Sequence, residues 1–249
     1  MNKQWEIIAT DAPYFSALSQ KIGGAISLSS DRDDNGYINS IYSGYLEHLI
    51  DVDDVIARAA GLELVLNGAV RIARGDCYYI PIKFTEVVNL NTNATTSVLA
   101  TTVDPNPFEL PQGVNAPQYL PQMALKSKTA VLFNYAVNDE AVRTLLFYAG
   151  LVKTTDVTDK ILAWSTLFKM YETVRAFCTP NGIDINNLYD STRVAAFTTS
   201  ANHMSILGIY ARHSHGKGGR APRNFITDLD EAIEIVFGLA SSFCNEYMP

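Results

Sequence analysis

Five of the chain's ten prolines fall in one short stretch: Pro105, Pro107, Pro111, Pro117 and Pro121. Proline removes a backbone donor and fixes φ, so neither a regular helix nor a central strand can run through such a segment. The stretch also separates two kinds of pattern. Before it, short β-rich runs surround one long helical periodicity; after it, the periodicity is helical throughout. The expectation is an α+β protein in which N-terminal β-hairpins pack with helices and a C-terminal helical bundle follows. This reading divides the chain into an α+β domain over 1–105, a proline-rich linker over 106–125 and a helical domain over 126–249.

Within the first part, the spacing predicts a short helix over Pro13–Leu18, with Asp11 as its N-cap. A hairpin is predicted from Ala25–Ser29 and Tyr37–Tyr42, because Asn35-Gly36 supplies the positive φ values that tight hairpin turns require. Asp51 to Asp54 reads as an acidic helix start, and Val55, Ile56, Ala59, Leu62, Leu66, Ala69 and Ile72 continue at helical spacing towards Gly75. A second antiparallel pair is expected from Tyr78–Val88 and Thr95–Val103, with Pro81 at an edge or bulge. Beyond the prolines, helices are predicted over Glu140–Leu151, Val157–Phe177, Asn187 to about Ser200 and Thr227–Glu246.

Composition bounds the function classes. A hydrophobic content of 47% with 18% charged residues suits a folded chain with its own core. Cys77, Cys178 and Cys244 lie far apart with no CxxC pairing, which fits a reducing compartment better than a disulfide framework. No run of about 18 apolar residues occurs, and Met1–Glu6 lacks the basic-then-apolar pattern of a signal peptide. A cytoplasmic location without membrane contact is therefore expected.

The charge is strongly segregated. From Ser191 to Thr227 there is no Asp or Glu, whereas Arg193, Arg212, Lys217, Arg220 and Arg223 give +5, in a chain whose net charge is −7. Three of the four histidines, His203, His213 and His215, lie in the same window. Gly216, Gly218 and Gly219 permit close backbone approach, so Lys217, Arg220 and Arg223 are the candidate ligand-binding residues for an anion. The N-terminus of the helix that follows would add N–H donors. The loop is not a Walker A motif, since Lys217 is followed by Gly218 and no strand precedes it.

The catalytic residue, if there is one, is unknown from sequence; the candidates are Arg212, His213 and His215. They supply the cation and the near-neutral acid or base that metal-independent RNA cleavage needs. The competing expectation for Arg212 is a structural tie between loop and core. His213 and His215 lack a nearby third ligand, so no metal is predicted, and no cofactor either. The acid pairs Asp53/Asp54 and Asp228/Asp230 read as helix caps.

Ser200-Ala201-Asn202, Ala211-Arg212-His213, Gly216, Pro222 and Leu229-x-Glu231-Ala232, with Leu66-Asn67-Gly68-Ala69 and Arg71 upstream, resemble a pattern of uncharacterised bacterial proteins. The C-terminal helices also resemble HEPN-type domains, helical modules of prokaryotic toxin and antiviral systems. That resemblance implies a bacterial, defence-associated setting. Its RNases carry Arg and His separated by four to six residues. Here Arg212 and His215 are separated by two, and Arg193 and His203 by nine. The functional expectation is contact with RNA or another phosphate-bearing ligand through the basic loop. The alternatives are a non-catalytic protein-interaction subunit of a larger complex and a HEPN-like RNase.

Overall fold

A computed structural model describes residues 3–19, 22–33, 36–75, 80–119, 127–213 and 223–248. It is an α+β protein. Its contacts form two compact units, Met1–Asn67 with Ile80–Asn138, and Gly68–Tyr79 with Asp139–Pro249. The boundary between units therefore does not coincide with the proline-rich segment.

The first unit is built on one antiparallel sheet in the order β2-β3-β1-β4-β5. Both expected hairpins form, as β2 (Ile26–Asp33) with β3 (Gly36–Ser43), and β4 (Phe84–Asn89) with β5 (Ala94–Ser97). β1 (Trp5–Ala9) was not expected, and it joins them: Ile7 pairs with Ile41 on one side and Val87 on the other. Its alternation Trp5, Ile7, Ala9 inward is short, and its neighbours hold it in place. Glu47 accepts the Gln4 amide at 2.8 Å, Leu49 O accepts the Trp5 indole at 3.1 Å, and Tyr42 donates to Glu6 at 2.6 Å. Burial and the adjacent Glu6 carboxylate push the Tyr42 phenol up to about 12. The second hairpin is shorter than its β-rich sequence suggested. β5 stops at Ser97, and Leu99 is 83% exposed, so no neighbouring strand or core rewards its extension.

Helix α1 (Phe15–Ser19) packs beside β2. Helix α2 (Val52–Arg74) starts where its acids predict, with Asp51 accepting the Asp53 amide at 2.9 Å. Asn67 closes a buried pair of hydrogen bonds with Ile82, donating to its carbonyl at 2.7 Å and accepting from its amide at 2.9 Å.

The described part of the proline-rich segment is a strap on this unit. Asp104 N donates to Ala57 O at 2.9 Å, and Arg58 bonds both the Asp104 carboxylate (2.9 Å) and Glu109 O (2.7 Å). Phe108 is buried edge-on to Tyr45 and Phe133, with centroids 5.3 and 5.8 Å apart. Proline stiffness lowers the entropy lost when such a strap is laid down. Helix α3 (Lys128–Asn138), absent from the sequence expectations, completes the unit.

The second unit contains the end of α2, then α4 (Glu140–Leu151), α5 (Val157–Cys178), α6 (Ser191–Asn202), the short α7 (Met204–Leu207) and α8 (Leu229–Tyr247). Asp139, Asp156, Asp190 and Asp228 each accept a first-turn amide as N-cap of α4, α5, α6 and α8. The expected starts at Glu140 and Val157 coincide with these caps, whereas α6 begins at Ser191 rather than Asn187 and α8 at Leu229 rather than Thr227, where Asp190 and Asp228 take the cap. Trp164 stacks on Phe197 at 6.0 Å in the core, and Ile233, Ala240 and Phe243 of α8 are buried. Cys178 and Cys244 are free, buried thiols.

Candidate functional site

The cationic window is anchored at adjacent points of one helix end. At its entry, Arg212 N donates to Ala201 O at 2.8 Å. At its exit, Ile226 N donates to the hydroxyl of buried Ser200 at 2.8 Å, and that hydroxyl donates in turn to Ala196 O at 3.0 Å. Asn224 reaches Thr192 O at 3.3 Å. The described ends of the segment therefore both meet the helical unit at α6. Ser200 supplies the buried side-chain bond at the exit, and Asn224 a longer, exposed one. Ser200→Ala leaves the Ile226 amide buried without an acceptor, and a loss of about 1–3 kcal/mol is expected. Denaturant unfolding and faster hydrogen exchange at Ile226 would report it; unchanged exchange would mean that the loop is held elsewhere.

Tertiary structure redistributes the charge that the sequence displays. Arg193 bonds Glu234 at 2.9 Å and lies 3.6 Å from Glu231, both on α8. The hydrogen bond from Arg193 is the main cause of a Glu234 carboxyl held below the usual range, while Arg193 itself is raised by that same bond. Arg212 lies 4.3 Å above the ring of Phe168 and bonds Glu172 of α5 at 3.3 Å. Both of these arginines are thus partnered by carboxylates from outside the window. Arg212 has the contacts of the structural tie, over an aromatic ring and paired with a carboxylate of the same helix.

His213 and Arg223 are exposed at the two ends of the loop. His215, Lys217 and Arg220 lie outside the described residues. No group of three or more His, Cys, Asp or Glu side chains arranged for a metal ion occurs among the described residues. The helix that follows does not offer the anion seat its position suggested. Asp228 already accepts the Asp230 amide at 3.0 Å, and Asp230 and Glu231 occupy the first turn of α8. Their negative charge opposes an incoming phosphate there.

The motif residues upstream have packing roles. Besides the Asn67–Ile82 clasp, Gly68 lies directly against the Leu146 carbonyl of α4. Arg71, 2% exposed, donates to Ala149 O at 2.9 Å and to Val152 O, with its guanidinium 4.5 Å above Phe237. A lone buried arginine in a helix's last turn is a sequence signal for such a clasp, but its acceptors come from 78 and 81 residues away and leave no local trace. Among the described residues, no helix is long and apolar enough to cross a membrane. Comparison with protein-family models, with curated proteins and with solved structures gives no match.

Proposed function

We propose that the chain contacts RNA or another phosphate-bearing ligand through the loop between Arg212 and Arg223. The observation that carries this reading is the anchoring of both loop ends at Ser200 and Ala201, combined with the division of labour among the cations. Arg193 and Arg212 are spent on carboxylates, whereas Lys217, Arg220 and Arg223 lie on an acid-free, glycine-rich arm between the two anchors. Both described ends are held by α6, so phosphate contact through these cations would not require the helices to unfold.

Each phosphate neutralised on a single strand contributes about −0.7 to the slope of log K against log salt. Replacing Lys217, Arg220 and Arg223 together by alanine should flatten that slope by about 2 units, read in a filter-binding or anisotropy titration with single-stranded RNA. Wild-type binding that the triple variant retains at every salt concentration would sink the reading.

A second reading, a non-catalytic interaction subunit, is favoured by apolar side chains that flank the same loop. Met204, Ile209 and Phe225 are 42%, 66% and 47% exposed. Together they would give a protein partner the anchors a charged rim alone lacks. Co-purification with a stable partner and no affinity for nucleic acid would select this reading; a partnerless, monodisperse chain from its native cells would count against it.

A further inference from the structure

A cavity of about 220 Å³ opens in the first unit between α3, the chain entering β2, Tyr45 and Gln118. It owes its shape to one face of α3: Ala130, then Phe133 with Asn134, then Val137 with Asn138, at the i, i+3/i+4, i+7/i+8 spacing. Phe133 and Val137 are the apolar part of that face, and Ile26 continues it from β2. Gly24 on the opposite wall has φ +81, and a Cβ there would come within 3.1 Å of the Gln118 carboxamide oxygen. The glycine thus satisfies a backbone requirement and keeps the wall open.

The polar lining is unusual for an acidic chain. None of the described residues that line this cavity carries a charge. Its hydrogen-bonding groups are the carboxamides of Asn134, Asn138 and Gln118 and the Tyr45 hydroxyl. Among the described residues, the half-buried Asn134 side chain, the exposed Asn138 side chain at the rim and the Tyr45 hydroxyl bond no protein group, and the exposed Gln118 makes only a 3.3 Å bond to nearby Ala116 O. Burial raises the Tyr45 phenol, so it stays a neutral donor at physiological pH.

These features select a ligand class. A phosphate, carboxylate or ammonium would lose hydration here without meeting an opposite charge among the described lining residues, a loss that costs on the order of several kcal/mol where the group is fully desolvated. A purely apolar ligand would bury the carboxamides without partners. The volume falls below the roughly 300–1,000 Å³ of drug-sized sites. Carboxamides present a donor and an acceptor side by side, the pattern that matches the edges of a nucleobase.

We propose that this cavity is a binding site for a neutral nucleobase-sized heterocycle, its edge read by Asn134, Asn138 and Gln118 over an apolar floor of Ile26, Phe133 and Val137. The site is independent of the cationic loop, and its failure would leave the proposal for that loop standing.

The test uses the full chain with adenine, guanine, cytosine and uracil as probes, followed by saturation-transfer NMR and calorimetry. Glucose and inorganic phosphate serve as competitors. At least one base should bind saturably and resist both competitors. Asn134→Ala should weaken that binding about tenfold without lowering the unfolding midpoint, because the side chain makes no protein hydrogen bond and alanine favours the helix. Asn138→Ala gives an independent reading at the next turn and should also weaken binding. Saturable binding of no base, displacement by glucose or phosphate, or wild-type affinity in both variants would each overturn the proposal.

Discussion

Gly68→Ala is expected to destabilise the chain by at least about 2 kcal/mol, against the direction that helix propensity predicts. Gly68 lies inside α2, where alanine is intrinsically favoured by about 0.8–1 kcal/mol. A Cβ at this position would stand 1.8 Å from the Leu146 carbonyl oxygen and 2.6 Å from its carbon. These are backbone atoms in the middle of α4, so no side-chain rotation relieves the overlap. One helix must shift, and forcing an extra carbon into a packed core costs about 1–3 kcal/mol or more. The collision exceeds the propensity gain. Gly61 meets the Asp104 carbonyl in the same way, with a Cβ at 1.9 Å, but that oxygen belongs to an irregular strap rather than a helix. Gly61→Ala should therefore be the milder change. Denaturant midpoints of the two variants test the order; a stabilised Gly68→Ala would show that propensity governs and that α2 and α4 do not pack this closely.

Arg71→Met should cost about 3 kcal/mol. Methionine keeps much of the stem's volume but removes the donors to Ala149 O and Val152 O and the cation above Phe237. Each buried carbonyl left without a donor costs about 1–3 kcal/mol. The opposing term is real: a buried guanidinium carries a desolvation penalty that methionine escapes, and apolar replacements of buried ions are sometimes neutral. Here the acceptors are the last carbonyls of α4, which have no intrahelical partner, so removing the donor leaves them exposed to no alternative. Arg71→Lys retains the charge but not the fork that reaches two carbonyls, and should fall between wild type and Arg71→Met. Equilibrium unfolding of the three proteins gives the ranking. A methionine variant as stable as wild type would mean that desolvation cancels the clasp.

Legibility in the sequence followed the range of the interaction. The helix starts at Glu140 and Val157 were readable, and the one at Leu229 to within two residues, because Asp139, Asp156 and Asp228 bond amides two or three residues away. The first hairpin was readable because Asn35-Gly36 lies between two alternating runs; Asp34 and Asn35 are outside the described residues, while Asp33 pairs with Gly36. Helix α3 escaped because Lys128–Asn138 has no acid in its first turn and follows a proline run that argues for irregular chain. The cavity it lines escaped with it, since Gly24, Tyr45, Gln118 and Asn134 share no periodicity.

The candidate loop shows the same division. Its acid-free composition is written in the chain, and so is the glycine content that lets it depart from regular structure. What the sequence by itself determined is the α+β character, most helix limits and the segregation of positive charge, all of which depend on neighbours a few residues apart. Tertiary structure alone decided that β1 enters between two hairpins, that the proline-rich strap belongs to the first unit, and that Arg193 and Arg212 are neutralised. Each of these depends on side chains tens of residues distant, where only packing and desolvation choose the partner.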